Sequence, residues 1–406
     1  MTQHDRNLVT IPSSFFSPFF FSLVVGARKN ERGLIQAGNE VFRRVSHYDW
    51  QELLGSPHKI VRHADMPRGV FQLFWDTIQQ GQHIGAYVKN KSKDGLSYWV
   101  YAVVIPSEGG FLSVRIKPTS ELFEKVKQAY SELLAAESLN DLSPEESRAL
   151  LMTWVIEQGF DGYDHFATFA LQEEMRTRNA GLGREHKEIS TNLKDAFDDA
   201  TSLASETSGL VSDFSAMRTI PHNLRVIASR IEPAGGPVTV LSQNYGSMSR
   251  NMSDWFEANV IGPDSNFSKL KELVNTSGFV QGMVRVLVEC DQQFQNEDRA
   301  SSGIEIEAEI EILSNLSQKQ MELSNVGLQE VHHEASRITS ACQTMQRHFL
   351  GLSSTRVLCK IESARLPESG ETLSEIIDQL GTFQERIMKR LEKIVALCER
   401  IKTETS

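Results

Sequence analysis

The chain has 406 residues, enough for two or three domains with cores of their own. It has 42 Lys and Arg against 53 Asp and Glu, a net charge of −11, and no basic block, which argues against a nucleic-acid partner. Its four cysteines (Cys290, Cys342, Cys359, Cys398) stand singly with no CxxC pair, so they read as reduced, mostly buried thiols rather than a disulfide or zinc framework.

The longest apolar run, near Phe15–Val25, is interrupted by Ser and Pro. It is too short to span a bilayer and no basic region precedes it, so it reads as the lead-in to a first strand. Leu23-Val24-Val25 and Gly33-Leu34-Ile35 are short apolar runs around a hairpin-like turn. A helix starts at Asp65-Met66-Pro67 and runs through Phe71, Phe74 and Ile78. Alternation returns at Ala86–Lys89, Tyr98–Ile105 and Phe111–Ile116, with turns at Lys93-Asp94-Gly95 and Glu108-Gly109-Gly110. Five antiparallel strands with short helices predict a single-sheet α+β domain whose cleft can hold a flat, apolar ligand.

An exit helix and linker follow over Pro118–Asn140, and Ser143-Pro144-Glu145-Glu146 is a capped helix start. Beyond Gly183 the apolar residues fall into heptads. One run is Ile189, Leu193, Ala196, Ala200, Leu203, Thr207, Leu210 and Phe214. Others are Val238 to Trp255, Leu328 to Phe349, and Leu373 to Ile401. Sustained heptads predict an all-α helical bundle or coiled coil. Its breaks, Ile231-Glu232-Pro233-Ala234 and Ile361-Glu362-Ser363-Ala364, share a pattern and imply two repeated helical hairpins.

Residues ~20–118 carry Pro57-His58, Val61-Arg62-His63, Asp65-Met66-Pro67, Val88-Lys89-Asn90, Lys93-Asp94-Gly95 and Tyr98-Trp99-Val100 in fixed order, after Asn39 to Phe42 and Tyr48 to Gly55. In these motifs the segment resembles the PAS domain of bacterial aerotaxis receptors. The resemblance implies flavin adenine dinucleotide (FAD) in the cleft. Asn39, Arg62, His63, Asp65 and Asn90 stand at motif positions linked to flavin binding or its signalling, with His58 in the Pro-His pair and Phe71 in the helix that walls the pocket. An Asn amide can pair with the edge of an isoalloxazine, and an Arg with a diphosphate. Haem b on His58 or His63, or no cofactor at all, stay open as alternatives. Ile84-Gly85-Ala86 departs from the family's Trp-Ser-Gly, and Ser46-His47-Tyr48 from its Ser-Gly-Tyr.

Glu362, Ala364, Arg365, Glu368 and Gly370 resemble the hairpin tip of methyl-accepting chemotaxis receptors, and Asn223-Leu224 the residues before it, although the Gly-Phe-Ala-Val-Val-Ala stretch is not retained. No P-loop, cyclase signature, zinc-protease helix or nucleophile elbow is present. His222 reads as structural, because no ATP-binding domain follows it. The expected order is a PAS sensor (20–118), a helical docking segment (119–182), a first receptor-like hairpin (184–262), a helical connector (263–303) and a second hairpin (304–403). The expected function is a non-enzymatic, cytoplasmic redox or oxygen sensor without a transmembrane segment. It would signal to protein partners, by resemblance a chemotaxis kinase and coupling protein, with oligomerisation left open. A cofactor-free PAS scaffold and a degenerate sensor kinase are the alternatives.

Overall fold

The computed structural model describes residues 25–184, 188–217, 222–223, 225–226, 237–260, 265–296, 305–364 and 370–405. The apolar run before Val25, Leu224, residues 231–236 of the first heptad break and residues 365–369 after Ala364 lie outside the described residues. So do the side chains of Val238, Leu241, Tyr245, Met248, Met252 and Cys359. The chain forms two compact units. One takes the residues up to Ser190 together with Asn275–Asn325, and the other takes Thr191–Val274 and Val326–Ser406.

The first unit is built on a five-stranded antiparallel sheet, as the alternating pattern predicts. Its strands are β1 (Val25–Asn30), β2 (Ile35–Gly38), β3 (Ile84–Lys91), β4 (Ser97–Ser107) and β5 (Gly110–Ile116), in the order β2-β1-β5-β4-β3. Between β2 and β3 lie α1 (Glu40–Ser46), α2 (Trp50–Leu53), a 3-10 turn (His58–Val61) and α3 (Arg68–Gln79). Asn39 caps α1 by accepting from the Phe42 N–H at 3.1 Å. The same carbonyl accepts from Gly26 N–H at 3.0 Å, which ties α1 to β1. Gly109 holds φ +74° in the turn between β4 and β5, a conformation an L side chain resists.

Both faces of the sheet are buried. The inner face closes over α1, α2 and α3, with Phe42, Leu53 and Val61 at 1 %, 0 % and 0 % exposure. The outer face is covered by α4 (Glu121–Asn140), α6 (Tyr163–Gly181), part of α9 (Asn266–Gln295) and the start of α10 (Ile306–Ser363), while α5 (Pro144–Glu157) packs on α3. α5 begins with a full capping box between Ser143 and Glu146.

Tyrosines join the sheet to this helical cover. The Tyr101 hydroxyl donates to Ala167 O at 2.6 Å, Tyr163 to Gly85 O at 3.1 Å and Tyr130 to Tyr87 O at 3.2 Å. Each such bond contributes on the order of 1 kcal/mol, and a buried hydroxyl left unpaired costs about 1–3 kcal/mol. On the same face Arg28 Nε donates to Glu309 Oε2 at 2.8 Å.

Glu174 of α6 is fully buried and serves the junction from sheet to α4. It accepts from the Tyr87 hydroxyl at 2.8 Å, from the N–H groups of Thr119 and Ser120 at 2.5 and 3.1 Å, and from Ser120 Oγ at 2.5 Å. Ser120 in turn caps α4. Burial pushes the Glu174 carboxyl pKa up, and these donors pull it back.

The second unit is helical, in line with the heptads. α7 (Glu188–Met217), α8 (Pro237–Asn259), the first turns of α9, the rest of α10 and α11 (Gly370–Glu404) share one core. Ala200, Leu203, Leu210 and Phe214 of α7 meet Val331, Ala335, Ile338, Cys342, Met345 and Phe349 of α10, and Leu380, Ile387, Leu391, Ile394 and Ile401 of α11. On α8 it is Phe256, stacked on Phe214 at 4.2 Å, that enters the core, with Trp255 only partly buried beside it. Ion pairs set the direction. Asp199 pairs with Arg400, Glu206 with Arg390 and Lys393, and Asp213 with Arg390 and Arg386, so α7 and α11 run antiparallel. Lys360–Asp378 and Thr339–Glu399 show the same for α10 and α11. Among the described residues Cys290, Cys342 and Cys398 are buried and form no disulfide, and no helix is long and apolar enough to cross a membrane.

Gly85, one of the departures from the family pattern, has a structural reason. A Cβ there would collide with the Tyr101 hydroxyl and crowd Phe279 of α9 at 3.0 Å. Gly85→Val is expected to lower stability by about 1–3 kcal/mol through overpacking. Chemical denaturation of the two proteins checks this, and Ala102→Gly on the opposite face should lack the steric signature.

Candidate functional site

The inner face of the sheet and α3 enclose a cleft with an empty volume of about 540 Å³, its open mouth included. α3 supplies Phe71, Phe74, Trp75 and Ile78 as one wall, and Val88, Ala102, Val104 and Phe111 come from the strands. Trp75 is 38 % exposed and meets Phe111 edge-on at 6.4 Å. The alternation of β4 and β5 explains this placement. Val103, Val114 and Ile116 belong to the outer face, so Ala102, Val104, Ser113 and Arg115 point inward.

The polar lining is unusual in charge. Among the described residues it consists of Lys29, His58, Ser113 and Arg115, with no carboxylate. Lys29 and Arg115 are 7 % and 3 % exposed. Burial, and then the Arg115 charge, hold the Lys29 pKa well below its ordinary value. Burial lowers Arg115 to about 10. Arg115 Nη2 donates to His58 Nε2 at 2.6 Å, and Phe42 lies 5.5 Å beneath the guanidinium. That bond requires a lone pair on Nε2, hence a neutral imidazole with its proton on Nδ1. Burial, then Lys29 and Arg115, keep the His58 pKa well below the usual histidine value. Arg115 Nη1 and Ser113 Oγ are buried and have no hydrogen-bond partner among the described residues.

Of the seven residues singled out in the sequence, His58 and Phe71 line this cleft. Arg62 stacks on Phe71 at 3.5 Å, behind the wall, and its backbone bridges to Asn90. Asn90 is 2 % exposed and pairs with the Tyr98 side chain. Asn39 is fully buried in the cap described above. Asp65 pairs with Lys89 at 2.8 Å, and the His63 ring accepts from the Asp65 N–H at 3.0 Å. The Lys89 ammonium holds the Asp65 carboxyl below the usual range, and burial lowers His63.

Lys29, Ser113 and Arg115 were missed as site residues. For Ser113 and Arg115 the signal was present in Leu112-Ser113-Val114-Arg115-Ile116, whose polar positions alternate. Alternation does not say which face is covered, and only the helices over the other face decide it. Aromatic walls and orphaned donors opposite them fit a planar ring with acceptor atoms on its edge, as an isoalloxazine has.

His58 carries a pH prediction. The unfolded imidazole titrates near 6.5 and the folded one well below it, so the unfolded state alone takes up a proton as pH falls. Stability is therefore fully present above about pH 6.5 and declines below it. In His58→Gln, which keeps an acceptor for Arg115, that decline should be smaller in urea unfolding followed from pH 7.5 to 5. An unchanged acid limb would contradict the assignment.

Residues 37–111 match the family model described as the PAS fold. Over 106 residues the chain is 41 % identical to the aerotaxis receptor of Escherichia coli (strain K12), a stretch covering 25 % of this chain and 21 % of the receptor. The chain thus matches about a fifth of that relative's length. Among solved structures, the PAS domain of a protein from Colwellia psychrerythraea is 17 % identical, with 26 % of this chain and 93 % of that chain covered and a TM-score of 0.21. The light-state LOV domain of Aureochrome1 is 20 % identical, covering 27 % and 90 %, with a TM-score of 0.23. The sheet and its inner helices are therefore a PAS domain, in a chain that is similar over 106 residues to an aerotaxis receptor and whose later helical region fits a receptor-like bundle.

Proposed function

We propose that this chain is a PAS-based redox or oxygen sensor that holds a flavin, FAD by resemblance, in the cleft and transmits its state through helices without catalysing a reaction. The observation that carries the reading is the 41 % identity over 106 residues to an aerotaxis receptor, beside a PAS-fold match at residues 37–111 that includes much of the cleft lining. Phe71, Phe74 and Trp75 would flank the ring, and Ser113 and Arg115 would donate to its edge. A flavin bound there supplies reversible redox chemistry. Haem is less well served, because the His58 Nε2 lone pair already accepts from Arg115.

The chain offers a short path outward. Ser113 and Arg115 sit on β5, which ends at Ile116, and three residues later Glu174 grips Thr119 and Ser120 at the start of α4. A change in hydrogen bonding at the cleft side of β5 would reach α4 through this grip. In this reading the PAS segment is the input, the two heptad hairpins at 184–262 and 304–403 are the output, and a chemotaxis kinase with its coupling protein is the partner.

The test is the visible absorption spectrum of the purified chain with and without dithionite. A yellow protein whose band bleaches on reduction is expected. A spectrum that stays featureless after reconstitution with FAD would overturn the flavin reading, and a haem spectrum would replace it.

A further inference from the structure

Buried basic side chains with no acid beside them among the described residues are energetically unfavourable. Lys29 and Arg115 are both nine-tenths or more buried, they repel each other, and among the described residues no carboxylate pairs with either. Buried charge is ordinarily paired. Among the described residues Arg115 bonds to a neutral imidazole, which accepts one bond and supplies no charge. Arg115 Nη1 and Ser113 Oγ are left without partners inside the same cavity. A buried donor without an acceptor calls for a ligand atom or an ordered water.

We propose that the inner end of the PAS cleft is an anion-binding subsite, built by Lys29, Ser113 and Arg115, that takes the carboxylate of a small aromatic acid. A carboxylate matches the site's inventory. One oxygen can accept from Arg115 Nη1 and the other from Ser113 Oγ, while Lys29 supplies the second charge. The rest of the cavity specifies the ligand's other end. Phe71, Phe74, Trp75 and Phe111 favour a flat ring over a polar or branched body. Arg115 and Ser113 lie two residues apart on one face of β5, so strand geometry holds them in place before any ligand arrives. This inference goes beyond the flavin reading and rests only on the cleft being a ligand site.

Calorimetric titration of the full chain with benzoate tests it, with benzamide as the neutral control of the same shape. Saturable one-to-one binding of benzoate is expected, with benzamide at least about tenfold weaker because it lacks the charge. Ser113→Ala, Lys29→Met and Arg115→Gln should each weaken benzoate by about tenfold or more, and by more than they weaken benzamide. Ser113→Ala guards against misfolding, since it only removes a hydroxyl that has no partner. If the chain arrives yellow, displacement of its chromophore by benzoate and not by benzamide supports the subsite. Equal affinity for the two probes overturns it. So does benzoate binding that the three variants leave untouched, or no uptake at all by the chain, coloured or colourless. A colourless chain that binds benzoate would end the flavin reading and leave the anion subsite standing.

Discussion

The PAS sheet has no face left for water, and much of the first unit follows from that constraint. A free antiparallel sheet of this size places one face on a core and solvates the other. Here α4, α6, α9 and α10 cover the outer face, and α1 to α3 cover the inner one. Polar side chains on the strands must then find partners in the interior or line a cavity. On the outer side Tyr87 and Tyr101 bond across to α6, and Arg28 to Glu309. On the inner side Lys29, Ser113 and Arg115 line the cleft, with Ser113 Oγ and Arg115 Nη1 unpartnered among the described residues. The same double burial that rigidifies the sheet thereby concentrates ligand-directed polarity in one place.

Glu174 shows how the cover is tied to the sheet at one point. One carboxylate receives Tyr87 from β3 and the first turn of α4, so strand and helix share an acceptor. Its desolvation is costly, and the four donors offset that cost only while all remain in place. A group of this kind makes the junction cooperative, because movement of either partner leaves buried donors unmet.

The helical unit is held by different means. Its core includes small or weakly apolar residues such as Ala200, Ala335 and Cys342, which bring helices close and pack fewer atoms than Leu or Ile would. Direction is supplied by charge at the rim. Arg390 lies over Gly209, where any side chain would collide with it, and reaches Glu206 and Asp213 on either side. These pairs are largely solvent-accessible on the basic side, so they select the antiparallel register more than they stabilise it.

Period alone was enough to predict the two architectures. Alternation of two residues in Tyr98–Ile105 and Phe111–Ile116 marked strands, and heptads from Leu328 to Phe349 marked a bundle stripe whose members from Val331 to Phe349 are buried. The short motifs around Asn39, His58 and Asp65 were equally legible, because the turns and caps they form are local. Which face of a strand sees what was not legible, since alternation fixes two faces and not their neighbours. Alternation put Ser113 and Arg115 on the same side of β5 and left open what that side faces. The covering helices, two of them arriving from beyond residue 274, turned that side toward the cleft. In the same way Gly85 read as a departure from a motif, and only the approach of Tyr101 and Phe279 shows why a side chain is excluded there. Local order is written in neighbouring residues, whereas the charge of the cleft depends on segments that meet only when the chain has folded.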